Sequence, residues 1–122
     1  MNTPPPPDRF SSQVPVFHKL FSVYEQWYAL AKKFPKQDRF LIGAKVDELL
    51  LDSLVLISKA SVSSKAEKCL PLEAANRNLD ATKVIIRLAF RLGIVTDKQY
   101  ISLQTDIWEI GKMLGGWLKS LT

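Results

Sequence analysis

The chain has 122 residues, 47% of them hydrophobic and 24% charged, a size and balance that suit one folded domain and exclude both a second domain and wholesale disorder. Seventeen Lys and Arg against twelve Asp and Glu leave a formal charge of +5, which favours a polyanionic partner such as nucleic acid without specifying one. A single cysteine, Cys69, and a single histidine, His18, exclude an intrachain disulfide framework and a structural zinc site, and the expected location is cytoplasmic.

Residues 1–13 open with Pro4, Pro5, Pro6 and Pro7 and continue through Asp8, Arg9, Ser11 and Ser12, a composition that predicts an extended, disordered leader. It lacks the apolar core of a signal peptide, and no uninterrupted apolar run in the chain reaches membrane-spanning length. Residues 14–122 are expected to form the folded unit.

Pro15 fits the first turn of a helix, and helical spacing predicts helix one over 15–33. Phe17, Phe21, Tyr24, Tyr28 and Ala31 make one apolar stripe; Val16, Leu20, Val23, Trp27, Leu30 and Phe34 make a second. Two stripes exceed what one bundle face needs, and the surplus points to an oligomer. Pro35 biases Phe34 away from helical angles, so the two form the first corner. Helix two is predicted from Gln37 to Val62, roughly 39 Å of helix, with Ile42, Val46, Leu49, Ser53, Leu56 and Ala60 on one track and Leu50, Leu54 and Ile57 beside it.

Ser61, Ser63, Ser64, Lys65 and Lys68 read as a polar connection, after which Pro71 marks the first turn of helix three, 71–92. Its core track is Leu72, Ala75, Leu79, Thr82, Ile86 and Ala89. Leu92 and Gly93 read as a left-handed helix stop, and Thr96 with Gln99 as the capping box of helix four. Helix four shows Tyr100, Leu103, Ile107, Ile110, Leu114, Trp117 and Leu121 at alternating spacings of three and four. Gly111 and Gly115 are expected to let a neighbouring helix approach closely. Four amphipathic helices with short connections and no strand signal predict an all-α, antiparallel up-down-up-down four-helix bundle.

Catalysis or metal binding needs residues that are scarce here. His18 stands alone, Cys69 lies in a lysine-bearing stretch that could lower its pKa, and the adjacent Asp47 and Glu48 project about 100° apart. No Glu-x-x-His and no Gly-rich phosphate loop occur. Neither catalytic residues nor a metal or cofactor are therefore expected.

Basic clusters are the remaining chemistry. Lys32, Lys33, Lys36 and Arg39 surround the Phe34–Pro35 corner, opposed only by Asp38. On helix three, Lys83, Arg87 and Arg91 recur every fourth residue, with Arg77 earlier and near the same side. Cations about 6 Å apart along a helix can follow a phosphate backbone without reading sequence, and Arg adds bidentate phosphate geometry. The alternative is a solvated face with Asp80 pairing part of the charge.

The stretch Lys33-Phe-Pro-Lys-Gln-Asp-Arg-Phe40, then Ile42-Gly43 and Val46-Asp-Glu-Leu-Leu-Leu-Asp52, resembles the second-helix start of the accessory variability determinant proteins of diversity-generating retroelements. Asn78-Leu-Asp-Ala-Thr-Lys83, Ile86-Arg-Leu-Ala89, Leu92-Gly93 and Thr96-Asp-Lys-Gln-Tyr100 are similar to that family's third helix and the turn into its fourth. The resemblance covers residues 17–118. The Asn-Ile-Ala-Glu-Gly signature of the related proteins encoded in ribosomal RNA intervening sequences is absent. The resemblance implies a barrel-like homopentamer that binds a reverse transcriptase and its template RNA or cDNA to support mutagenic retrohoming. From the residues themselves, the surplus apolar positions, Ile101 and Trp108 on helix four among them, imply only some oligomer. The alternative function is a protein scaffold whose basic rows meet acidic surface on the reverse transcriptase and never touch nucleic acid.

Overall fold

Residues 15–122 are described by a computed structural model of the chain, and the leader predicted over 1–13 lies outside the described residues. Helix α1 spans Pro15–Ala31. Helix α2 opens with Lys36–Asp38, widens into a π-helical turn at Arg39–Gly43 and continues as Ala44–Val62. A short 3-10 turn, Lys65–Glu67, leads into α3, Cys69–Arg91, and α4 spans Asp97–Ser120. The four long helices form a bundle, with no strand among the described residues, and none of the helices is long and apolar enough to cross a membrane.

The core follows the sequence tracks most closely on α3, where Leu72, Ala75, Leu79, Thr82, Ile86 and Ala89 are all buried. On α4, Leu103, Ile107, Ile110 and Leu114 are buried while Tyr100, Trp117 and Leu121 are half-buried at the ends of the same track. Buried hydroxyls sit in both long core tracks without leaving a polar group unpaired. Ser53 donates to the Leu49 carbonyl at 2.7 Å and Thr82 to the Asn78 carbonyl at 2.8 Å, each one turn back on its own helix.

The two apolar stripes of α1 separate in the fold. Val16, Leu20, Val23, Trp27 and Phe34 are buried, with Phe17 and Ala31 from the other stripe, whereas Phe21 and Tyr28 are 47% and 51% exposed. Helix α1 ends two residues earlier than the predicted Lys33, because the corner residues Lys33 and Phe34 turn back onto the Leu30 and Ala31 carbonyls.

Connections show why each helix stops. Lys68 Nζ donates to the Ala60 carbonyl at 2.8 Å, placing a cation at the carbonyl end of α2. Pro71 is the third residue of α3, still within the turn whose N–H groups lack helical partners. After α3, Gly93 adopts φ 78°, and the Gly93 and Ile94 amides return to the Phe90 and Ala89 carbonyls at 3.0 and 2.9 Å, a Schellman stop that a side chain at this φ would strain. Both bonds of the Thr96–Gln99 capping box are present.

The π-helical turn departs from the expected single α-helical register. Ala44 donates to the Arg39 carbonyl five residues back, so one extra residue enters the helix and shifts the phase of everything before it. Ile42, read as a core position, is half-buried, and Phe40 and Leu41 are exposed. Gly43 is buried at the widened turn, where its carbonyl accepts from Trp27 Nε1 at 3.4 Å. The Phe34 ring meets Trp27 edge-on at 5.4 Å. The first corner is thus fastened to α1 by an aromatic pair and an indole hydrogen bond.

Candidate nucleic-acid interface

Lys83 and Arg87 lie one turn apart on α3, about 6 Å along its axis, and Arg91 ends the helix a turn further on. Arg87 and Arg91 are exposed, with no ion pair among the described residues. Lys83 is half-buried and bonded to Asp80 at 3.1 Å, so part of its charge is compensated. Arg77 is exposed, but at about 100° per residue it projects some 120° around the helix from Lys83. It lies nearer the outward direction of Val84 and Leu88. The expected four-residue group is therefore a flank of Lys83 and Arg87 facing α4 and an outer pair, Arg77 and Arg91.

The corner group has a different build. Lys33, Lys36 and Arg39 are exposed, and Lys32 lies over the exposed Tyr28 ring at 4.4 Å. Lys33, Phe34, Pro35 and Asp38 share a hollow of ≈ 280 Å³ with Leu92, Gly93 and Ile94. The residues that follow Arg91 therefore lie beside the corner, and Arg91, the last of the α3 cations, is at the same end of the bundle as the corner group.

Between α3 and α4 runs an open groove of ≈ 600 Å³ lined by Lys83, Val84, Arg87, Tyr100, Gln104, Thr105 and Trp108. Gln104 sets the register of the two helices by donating to the Lys83 carbonyl at 3.0 Å. A smaller hollow of ≈ 240 Å³ adjoins it, lined by Asn76, Asp80, Lys83, Trp108, Gly111 and Lys112. Lys112 Nζ lies 4.6 Å from the centre of the Trp108 ring. Cation spacing along one helix does not reveal these α4 residues; the exposed Trp108 on the outer side of the α4 track is the signal that the sequence carries. Gly111 and Gly115 do not serve close packing among the described residues, where a Cβ at either position would meet nothing within 4 Å.

Two of the titratable groups set aside in the sequence, Cys69 and Asp47, each bond to one neighbouring side chain. Cys69 does not have a lowered pKa. Its thiol donates to Glu73 Oε1 at 2.9 Å, and that bond, followed by burial and the Glu73 charge, pushes the thiol up. Burial raises Asp47, opposed by a hydrogen bond from Tyr24, and one of its carboxylate oxygens has no partner among the described residues. Burial likewise raises Tyr24, with the Asp47 charge and the hydrogen bond adding to it. No group of three or more His, Cys, Asp and Glu converges among the described residues.

No curated protein matches the chain at a significant level. The sequence model of the family described as bAvd-like matches residues 16–121, almost the whole of the described bundle and all four of its helices. The match agrees with the resemblance carried by the corner, the third helix and the turn into the fourth, and the chain belongs to the bAvd-like family.

Proposed function

We propose that this chain is a cytoplasmic, non-enzymatic accessory protein of a diversity-generating retroelement, which binds template RNA or its cDNA through backbone phosphates and binds the reverse transcriptase. The observation that carries this reading is the family match across residues 16–121. The exposed Arg87 and Arg91, with Lys33, Lys36 and Arg39 at the same end, supply the cations that a phosphate backbone needs. The helices run up-down-up-down, an arrangement favoured by the short connections and by the pairing of the first corner with the α3–α4 turn at one end. The subunits assemble into a ring-like homo-oligomer, a pentamer by analogy with the family, and the exposed Phe21, Tyr28 and Ile101 supply apolar area for subunit contacts. Repetition of the cationic face around the ring multiplies a modest attraction per subunit.

The test is fluorescence anisotropy of labelled RNA and DNA titrated with the protein at two salt concentrations. Binding is expected to weaken as salt rises and to be lost in Arg87→Glu/Arg91→Glu while the bundle keeps its helical circular dichroism. Unchanged affinity in that double variant would remove the proposed face. A second reading, a protein scaffold without nucleic-acid contact, draws on Val84 and Leu88, 65% and 45% exposed between Arg77 and Arg91. It requires that a complex with the reverse transcriptase form while neither nucleic acid binds at low salt.

A further inference from the structure

The surface between α3 and α4 carries an aromatic side chain that phosphate binding alone does not use. Trp108 is 56% exposed in a chain that buries Trp27 completely. Its ring stands between the groove that holds Arg87 and Tyr100 and the smaller hollow that holds Asp80 and Lys112, and Lys83 borders both. Gly111 contributes no side chain to the smaller hollow, and Lys112 Nζ lies over one face of the ring at 4.6 Å, so a stacking base would take the face away from it. Lys83, Arg87 and Lys112 bring three cations to this surface against the single carboxylate of Asp80.

An accessible indole flanked by cations fits a single strand. Unpaired bases present flat faces that stack on an aromatic ring whatever their sequence, while their phosphates seek the surrounding cations. A duplex keeps its base faces inside its own stack and offers such a surface only phosphates. A two-fold pair of copies fits poorly, because it would bring Lys83, Arg87 and Lys112 against their own equivalents, and the ring contacts proposed above draw on Phe21, Tyr28 and Ile101 instead. We propose that the groove between α3 and α4 holds a single-stranded stretch of nucleic acid, with a base stacked on Trp108 and the adjoining phosphates on Lys83, Arg87 and Lys112. This rests on the nucleic-acid reading above and adds the form of the ligand.

The experiment compares a labelled single strand of mixed sequence with the matching duplex, titrated by anisotropy with the full chain and with Trp108→Ala, Trp108→Phe and Arg87→Glu. Trp108→Ala is expected to weaken the single strand about tenfold or more while duplex affinity holds. Trp108→Phe keeps an aromatic face and retains most of the single-strand affinity. Indole fluorescence is quenched by the single strand more strongly in the parent than in Trp108→Phe, which keeps the buried Trp27 and the half-buried Trp117. Equal weakening of strand and duplex in Trp108→Ala, or no weakening of either, overturns the stacking site. If Arg87→Glu still weakens both forms in that case, the phosphate reading survives alone. A parent that binds neither form overturns both proposals. A fall in molar mass of Trp108→Ala by light scattering assigns the ring to a contact between copies and also overturns the site.

Discussion

The two pairs of consecutive helices are built on different principles. The α3–α4 pair is regular, with an unbroken core track on α3, a Schellman stop, a capping box and a register set by Gln104 on the Lys83 carbonyl. The α1–α2 pair is irregular, with an aromatic corner, a π-helical turn and a half-buried carboxylate facing a tyrosine. Both pairs present cations. On α3 they ride on a helix anchored by six buried residues, whereas at the corner they hang on a turn secured by the Trp27–Phe34–Gly43 contacts and a few backbone bonds. A regular element can hold charges in register for an extended ligand, while an irregular one depends on its anchor.

The most severe way to break this contrast is to remove the anchor. Trp27→Ala deletes a fully buried indole together with its bond to Gly43 and its contact with Phe34, and is expected to cost about 3–5 kcal/mol in urea unfolding. Native-state hydrogen exchange should then show amide protection lost first over residues 34–43, while α3 and α4 keep theirs. Uniform loss across all four helices would show that the corner is not a separately secured region.

Charge reversal compares the two cationic groups in function. Arg87→Glu/Arg91→Glu is expected to weaken nucleic-acid binding more than Lys36→Glu/Arg39→Glu, because the α3 pair is fixed in spacing before the ligand arrives. Each lost phosphate contact should also flatten the plot of log affinity against log salt by about 0.7–0.9. Equal losses from the two double variants would make the corner a full part of the phosphate track.

The same contrast explains what could be read in advance. Leu72 to Ala89, Gly93 and the Thr96–Gln99 box are local signals, and each is present in the fold as its residues suggest. The π-helical turn has no such signal, because an inserted residue keeps the chain helical and alters only the phase, which surfaces in the exposure of Phe40 and Leu41. The division of the α1 stripes depends on how much surface the other helices can cover, which is a tertiary quantity. In the candidate site, the spacing of Lys83, Arg87 and Arg91 was legible along one helix. The groove was not, because Trp108, Gly111 and Lys112 reach it from α4 through an inter-helix register that no single-helix pattern encodes.

On the regular side, Thr96→Ala removes the oxygen that accepts from the Gln99 amide at 3.1 Å. A loss of about 1 kcal/mol in thermal or urea unfolding is expected. A much smaller loss would mean that the Schellman stop alone fixes the α3–α4 turn.

The smallest effect concerns Asp47 on the irregular side, and its sign is set by pH. Burial raises the carboxyl above its ordinary value of 3.8, so the folded state holds its proton more tightly than the unfolded chain does. The contribution of this group to stability is therefore complete below 3.8 and declines as pH rises through the raised folded value, where the buried, partly unpaired carboxylate must ionise. Asp47→Asn keeps an oxygen for the Tyr24 hydroxyl and carries no charge to desolvate. The variant should melt at a slightly higher temperature than the parent at neutral pH, and the gap should close as pH falls into the carboxylate range. A gap of constant size across that range would trace the effect to packing against Tyr24, and the irregular pair would then hold its carboxylate without electrostatic strain.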